Sequence, residues 1–229
     1  MITRRAILLK YSLSPAEECK IDFDFTLVQC FLKSASGGCF EDEEILKYSI
    51  DVFDRESLFE LFDSYDYTFI YFSGHSYFYN RQIEIPLKNN QFISESEFIR
   101  PGKKQWIFME CSRSNTAALN STELNIPRKE LLFQEPSPEL RDKWENVIYN
   151  MEPFYLIYFV TKIGGFAFNN EHGGKGTQLF FMSLMRKLLL KKPFNYVEFV
   201  KEINKPENAI QQSCFIPGNL DLNKFSTLF

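Results

Sequence analysis

The chain has 229 residues, 45% apolar and 24% charged, with a net charge of -4 and a pI near 5.4. That length and balance belong to an ordinary globular chain with an ample core, and the acidic excess argues against a nucleic-acid binder, which carries a basic face. Aromatic residues make up 17%, including 25 Phe and 11 Tyr, which predicts an aromatic core.

Five cysteines (Cys19, Cys30, Cys39, Cys111, Cys214) are scattered and form no CxxC pair, so neither a disulfide framework nor a zinc site is indicated. They read as reduced thiols, mainly in the core. No apolar run approaches the roughly 18 residues of a membrane span, and the Met1-Ile2-Thr3-Arg4-Arg5 start lacks a signal-peptide pattern. A single cytoplasmic domain over residues 1–229 is expected, with no membrane partner.

In chain order, residues 5–11 read as a first strand, buried at Ala6 to Leu9 and broken by Ser14-Pro15-Ala16-Glu17. Residues 22–33 place Phe25, Leu27, Val28, Phe31 and Leu32 at helical spacing, with Asp22 or Asp24 as the cap. The acidic run Glu41-Asp42-Glu43-Glu44 lacks the alternation of a calcium loop and reads as a solvated helix start. An amphipathic helix over residues 55–63 leads into an aromatic strand, residues 65–73, which ends in Ser73-Gly74-His75-Ser76. Strand, helix, strand in this order implies a right-handed crossover and a parallel sheet. Residues 82–87 alternate and precede Asn89-Asn90, a hairpin pattern, and residues 95–99 suggest a short helix.

Residues 104–110 form a further buried strand, stopping at Glu110 where small polar residues begin. Residues 116–138 show no periodicity and contain Pro127, Pro136 and Pro138, an irregular loop. A helix over 138–149, a strand over 154–160 and a short strand within 164–168 follow. Then come a glycine-rich turn at Gly173-Gly174-Lys175-Gly176-Thr177, helices over 178–190 and 194–203, and an edge strand over 213–216.

Ligands of open α/β sheets bind just outside the carboxyl ends of the strands. If residues 65–73 and 104–110 share one parallel sheet, His75 meets Cys111 or Ser112 at that edge. Gly74 lets the backbone there approach a ligand closely. His172 is a weaker candidate, in a turn. The glycine-rich turn lacks the GxxxxGK[ST] spacing of a phosphate loop, and Ser73-Gly74-His75-Ser76 is no GxSxG elbow.

Phe69-Ile70-Tyr71-Phe72-Ser73-Gly74-His75 resembles the strand and histidine of caspase-like peptidases, which usually end in Ser-Gly-His-Gly. The family's second motif, an apolar strand ending in Asp-Ala-Cys-Arg-Ser, falls on Glu110-Cys111-Ser112-Arg113-Ser114. Phe31-Leu32-Lys33-Ser34, Gly37-Gly38 and Glu43-Glu44-Ile45 are similar to the segment between the first two strands of small prokaryotic caspases, and Gly173-Gly174 with Thr177 to their later glycine turn.

The resemblance implies a three-layer α/β/α sandwich with a mainly parallel sheet, acting as a cysteine endopeptidase on protein substrates; the residues themselves indicate no cofactor and no metal site, and a calcium requirement is left open. His75 would move protons, the amides of Ser76 and residue 112 would hold the oxyanion, and Ser112 would stand at the nucleophile's place. Successive strand residues face opposite sides, so Cys111 and Ser112 cannot both face His75. The register with Ser112 keeps the acid, the arginine and the following serine; the other makes Cys111 the nucleophile.

Serine there implies a Cys→Ser replacement that inactivates the enzyme, because a hydroxyl without an orienting carboxylate is poorly activated. Natural alternatives are a pseudoenzyme that binds peptide or protein and, last, a serine hydrolase. Family acids fall on Glu110 and, by nearest match, Asp24, which alternatively caps its helix. A carboxylate pair suits guanidinium, so cleavage after Arg, then Lys, is expected. The resemblance further implies an antiphage or cell-death role under an upstream activator. Self-cleavage is expected at Arg128-Lys129.

Overall fold

Apolar runs with no polar side must be covered on both faces, and four such runs make the middle of one sheet. The computed structural model describes residues 2–113, 135–163, 167, 169–170, 173–189, 194–204 and 213–222. Its elements run β1 (Arg4–Tyr11), α1 (Pro15–Lys33), β2 (Ile45–Ser49), α2 (Arg55–Asp63), β3 (Tyr67–Gly74), β4 (Tyr77–Tyr79), β5 (Gln82–Pro86), β6 (Phe92–Ser94) and β7 (Lys104–Glu110). They continue with α3 (Pro138–Tyr149), β8 (Phe154–Phe159), β9 (Asn169–Asn170), β10 (Gly173–Gly174), α4 (Lys175–Leu189), α5 (Tyr196–Ile203) and β11 (Cys214–Ile216).

The main sheet has six strands in the order β11-β8-β7-β3-β1-β2, all neighbours parallel except β11 against β8. Alternation divides each central strand between two cores. Ala6, Leu8, Phe69, Tyr71, Trp106 and Phe108 face a cluster with α1, α3, α4 and α5, while Ile7, Leu9, Ile70, Phe72, Ile107 and Met109 face α2 and a small antiparallel sheet, β4-β5-β6. The result is the expected three-layer α/β/α sandwich. Its first core is aromatic: Phe108 lies 4.7 Å from the Tyr158 ring and 5.1 Å from Phe180, distances at which rings attract beyond their buried area.

Several expectations change. Helix α1 starts at Pro15, not at residue 22: Ser14 is its cap, accepting from the Glu17 amide at 3.4 Å. Proline is tolerated in a first turn because its missing N–H would have no partner there, so Ser14-Pro15 opens a helix instead of only breaking a strand. Asp24 therefore does not cap α1, and Asp22 pairs with Lys10 at 3.0 Å.

Glu44 is not a solvated residue: 8% exposed, it lies between the guanidinium groups of Arg4 and Arg141. Edge strand β2 escaped the sequence reading because Ile45 alone is buried in it. Cys19 and Cys30 are exposed on α1 and Cys214 is half-buried, leaving Cys39 and Cys111 in the interior; all five are free thiols. Of the expected strand within 164–168 only Ala167 is described, and His172 and the Arg128-Lys129 cleavage point lie outside the described residues, as does most of the irregular loop. No helix among the described residues is long and apolar enough to cross a membrane.

Candidate active site

Strands β3 and β7 are adjacent and parallel, with Ser73 opposite Glu110, so the segments that follow them leave the sheet side by side. On the face shared with Tyr71 and Phe108, alternation places Ser73 and His75 on one chain and Glu110 and Ser112 on the other. A pocket opens there, lined by Glu17, Ile21, Gly74, His75, Ser76, Glu110, Ser112 and Ala167. The two loop ends are tied together by the Ser76 hydroxyl, which donates to the Ser112 carbonyl at 3.1 Å. Ser112 Oγ accepts from the Ala167 amide at 3.0 Å.

Cys111 and Arg113 take the other side. Cys111 is 2% exposed and belongs to the core under α2, where burial pushes its thiol up to about 12. Arg113 is buried against Glu95 at 3.3 Å and over the Phe159 ring at 4.0 Å. A thiol so hard to ionise is a poor nucleophile.

Gly74 explains how the strand can end as it does. Its φ is +144°, and an added Cβ would lie 2.0 Å from the Tyr11 carbonyl oxygen. That same oxygen accepts from the His75 amide at 3.1 Å, so β1 holds the histidine backbone. Ser76, where the family carries glycine, is not among the residues of positive φ, and its serine side chain fits without left-handed strain.

The two acids expected to read a basic residue do meet, below the pocket. Asp24 and Glu110 are each 2% exposed. Asp24 accepts from the Ser73 hydroxyl at 3.0 Å and from the Gly174 amide at 2.8 Å. Glu110 accepts from the Thr177 amide at 2.5 Å and hydroxyl at 2.6 Å, and Tyr71 donates in turn to that hydroxyl at 2.8 Å. Glycine is required above them, since a Cβ on Gly174 would sit 2.4 Å from the Glu110 carboxyl carbon. Glu110 reaches the pocket wall, whereas Asp24 lies behind it.

Burial and then the charge of Glu110 push the Asp24 carboxyl well above the usual carboxylate range, against the pull of its hydrogen bonds. An acid raised in the folded state adds stability at low pH that is lost as pH rises through its folded value. Asp24→Asn keeps a carbonyl for Gly174 and an amide for Ser73 and removes this loss. Its melting temperature should exceed that of the parent by ~3 °C or more at pH 8 and converge with it near pH 4, checked by calorimetry across pH.

Sequence reading missed Glu17. Its Oε1 lies 2.8 Å from His75 Nε2, across 58 positions, so nothing in local periodicity points to the pair. The one available signal was Ser14-Pro15-Ala16-Glu17, which fits the Ser-x-x-Glu pattern of a helix start. Ile21 and Ala167 on the pocket wall were also unforeseen. Among the described residues no three His, Cys, Asp or Glu side chains gather as metal ligands.

The fold has known counterparts. Caspase-1 of Spodoptera frugiperda is 12% identical over 94% of this chain and 88% of its own, with a TM-score of 0.52. The Drosophila initiator caspase Dronc is 7% identical over 96% of this chain and 83% of its own, TM-score 0.50, and a protein of Geobacter sulfurreducens 10% identical over 94% and 93%, TM-score 0.52. The chain thus has a caspase-like fold; identities this low speak for the fold alone. No protein-family model and no curated protein matches the sequence.

Proposed function

We propose that this chain is a caspase-like cysteine endopeptidase that cuts protein substrates after Arg, then Lys, present here in an inactive form with Ser112 at the position of the nucleophilic cysteine. The observation that carries the reading is that His75 and Ser112 leave adjacent parallel strands and line one pocket, with Glu110 among its wall residues. A thiolate at 112 would attack the peptide carbonyl, His75 would protonate the leaving amine, and the amides of residues 76 and 112 would hold the oxyanion. Glu110, with Asp24 behind it, would draw a guanidinium into the pocket. The bacterial antiphage or cell-death role and an upstream activating protein are part of the proposal through family resemblance.

The test is a fluorogenic peptide panel varied at the residue before the cut, offered to this protein and to Ser112→Cys. Cleavage after Arg by Ser112→Cys alone is the expected result. Cleavage after Asp and not Arg would overturn the specificity, and activity of the serine form abolished by Cys111→Ala would move the nucleophile. A second reading, a natural pseudoenzyme that binds peptide, is favoured by the engagement of Ser112 Oγ with the Ala167 amide. It predicts peptide binding with no cutting by either form.

A further inference from the structure

We propose that Glu17 is a positioning residue for His75, a third member of the site supplied by the start of α1. The inference rests on the reading of His75 as the group that moves protons. The Glu17 carboxylate is held at both ends: Oε2 accepts from the Leu13 amide at 2.9 Å, and Oε1 lies 2.8 Å from His75 Nε2. A carboxylate oxygen offers only lone pairs, so Nε2 must carry the proton of that bond. Nδ1 is then left as the basic nitrogen, the one that the proposed proton transfer from residue 112 requires.

The charge state agrees with the geometry. Burial works to raise the Glu17 carboxyl, but the hydrogen bonds from His75 and Leu13 and the charges of His75 and Lys20 hold it below the usual carboxylate range. Glu17 is thus an anion at neutral pH. When His75 takes a proton from residue 112 at Nδ1, the imidazolium faces this anion, and the proton passes on to the leaving amine while Glu17 stays ionised. The β1–α1 junction therefore holds both parts of His75, its backbone through the Tyr11 carbonyl and its ring through Glu17.

The His75 side chain is 48% exposed and that of Glu17 32%, so water screens the pair. The effect should fall well short of the roughly 10⁴-fold of a buried acid behind a catalytic histidine. In Ser112→Cys, adding Glu17→Ala should lower kcat ~3–30-fold with little change in KM.

The deciding measurement needs no activity: the ring-nitrogen NMR spectrum of His75 in the protein as it stands, with the second histidine identified by His172→Gln. The expected result, for the neutral ring observed at alkaline pH, is the tautomer protonated at Nε2. Glu17→Ala should give a mixture of tautomers. Glu17→Gln, whose amide oxygen still accepts, should keep the Nε2–H form. An Nδ1-protonated ring in the parent, or a tautomer indifferent to Glu17→Ala, would overturn the proposal. If Ser112→Cys cut no peptide while the tautomer followed Glu17, the fault would lie with the proposed activity and not with Glu17.

Discussion

Gly74→Ala is expected to destabilise the protein by about 3 kcal/mol or more, lowering Tm by ~6–12 °C. The added methyl would stand 2.0 Å from the Tyr11 carbonyl oxygen, at a φ of +144° that alanine rarely adopts. Backbone, not a flexible side chain, is the obstacle, so either the end of β1 or the end of β3 must move. Both moves break the bond from the His75 amide to Tyr11, and the histidine is displaced along with the stability. Denaturant unfolding of the purified variant measures the effect. A change below about 1 kcal/mol would show that the β1–β3 end pairing is looser than described.

A second large effect is expected at Glu44, far from the pocket. Glu44 accepts from Arg4 Nε at 3.1 Å, from Arg141 Nη1 and Nη2 at 2.9 and 2.8 Å, and from the Glu41 amide at 2.8 Å. Arg4 is 5% exposed, so Glu44→Ala strands a buried cation, a change that costs about 3–5 kcal/mol. The lower end is expected, because Glu145 still lies 3.8 Å from Arg4 and the Gly38 and Cys39 carbonyls still accept from it. Glu44→Gln should lose less. Burial works to raise the Glu44 carboxyl, but Arg141 and Arg4 outweigh it and hold the group below its ordinary value. Its contribution is therefore present above about pH 4.5 and disappears as pH falls through the depressed value. The gap between parent and variant should narrow in acid; a gap that widened there would refute the ion-pair account.

The strands that carry the site could be read directly because they are buried on both faces. Tyr67 to Phe72 and Trp106 to Met109 have no polar position to confuse with a helix. For the opposite reason β2 was invisible: of Ile-Leu-Lys-Tyr-Ser only the first residue is buried, and an edge strand with a wet face has little pattern. His75, Ser112 and Glu110 were readable because a strand's end is a local event, marked by the change from bulky to small polar residues. Glu17 and the cover of Gly174 and Thr177 were not, since those contacts span 58, 150 and 67 positions and depend on how helices settle on the sheet. Asp24 was found by family likeness, yet its capping alternative failed on a local fact, the proline that opens α1.

The glycine turn over the two acids also sets an order of events during synthesis. Asp24 and Glu110 leave the ribosome first, but the amide and hydroxyl of Thr177 that Glu110 accepts from come 67 residues after Glu110. At roughly 5–20 residues per second that is a wait of roughly 3–13 s. Until then Glu110 lacks the amide and hydroxyl that cover it, and Asp24 lacks the Gly174 amide. The carboxylates at the strand ends are thus completed by a later part of the chain, and the wall of the pocket takes its final shape only once residue 177 has emerged.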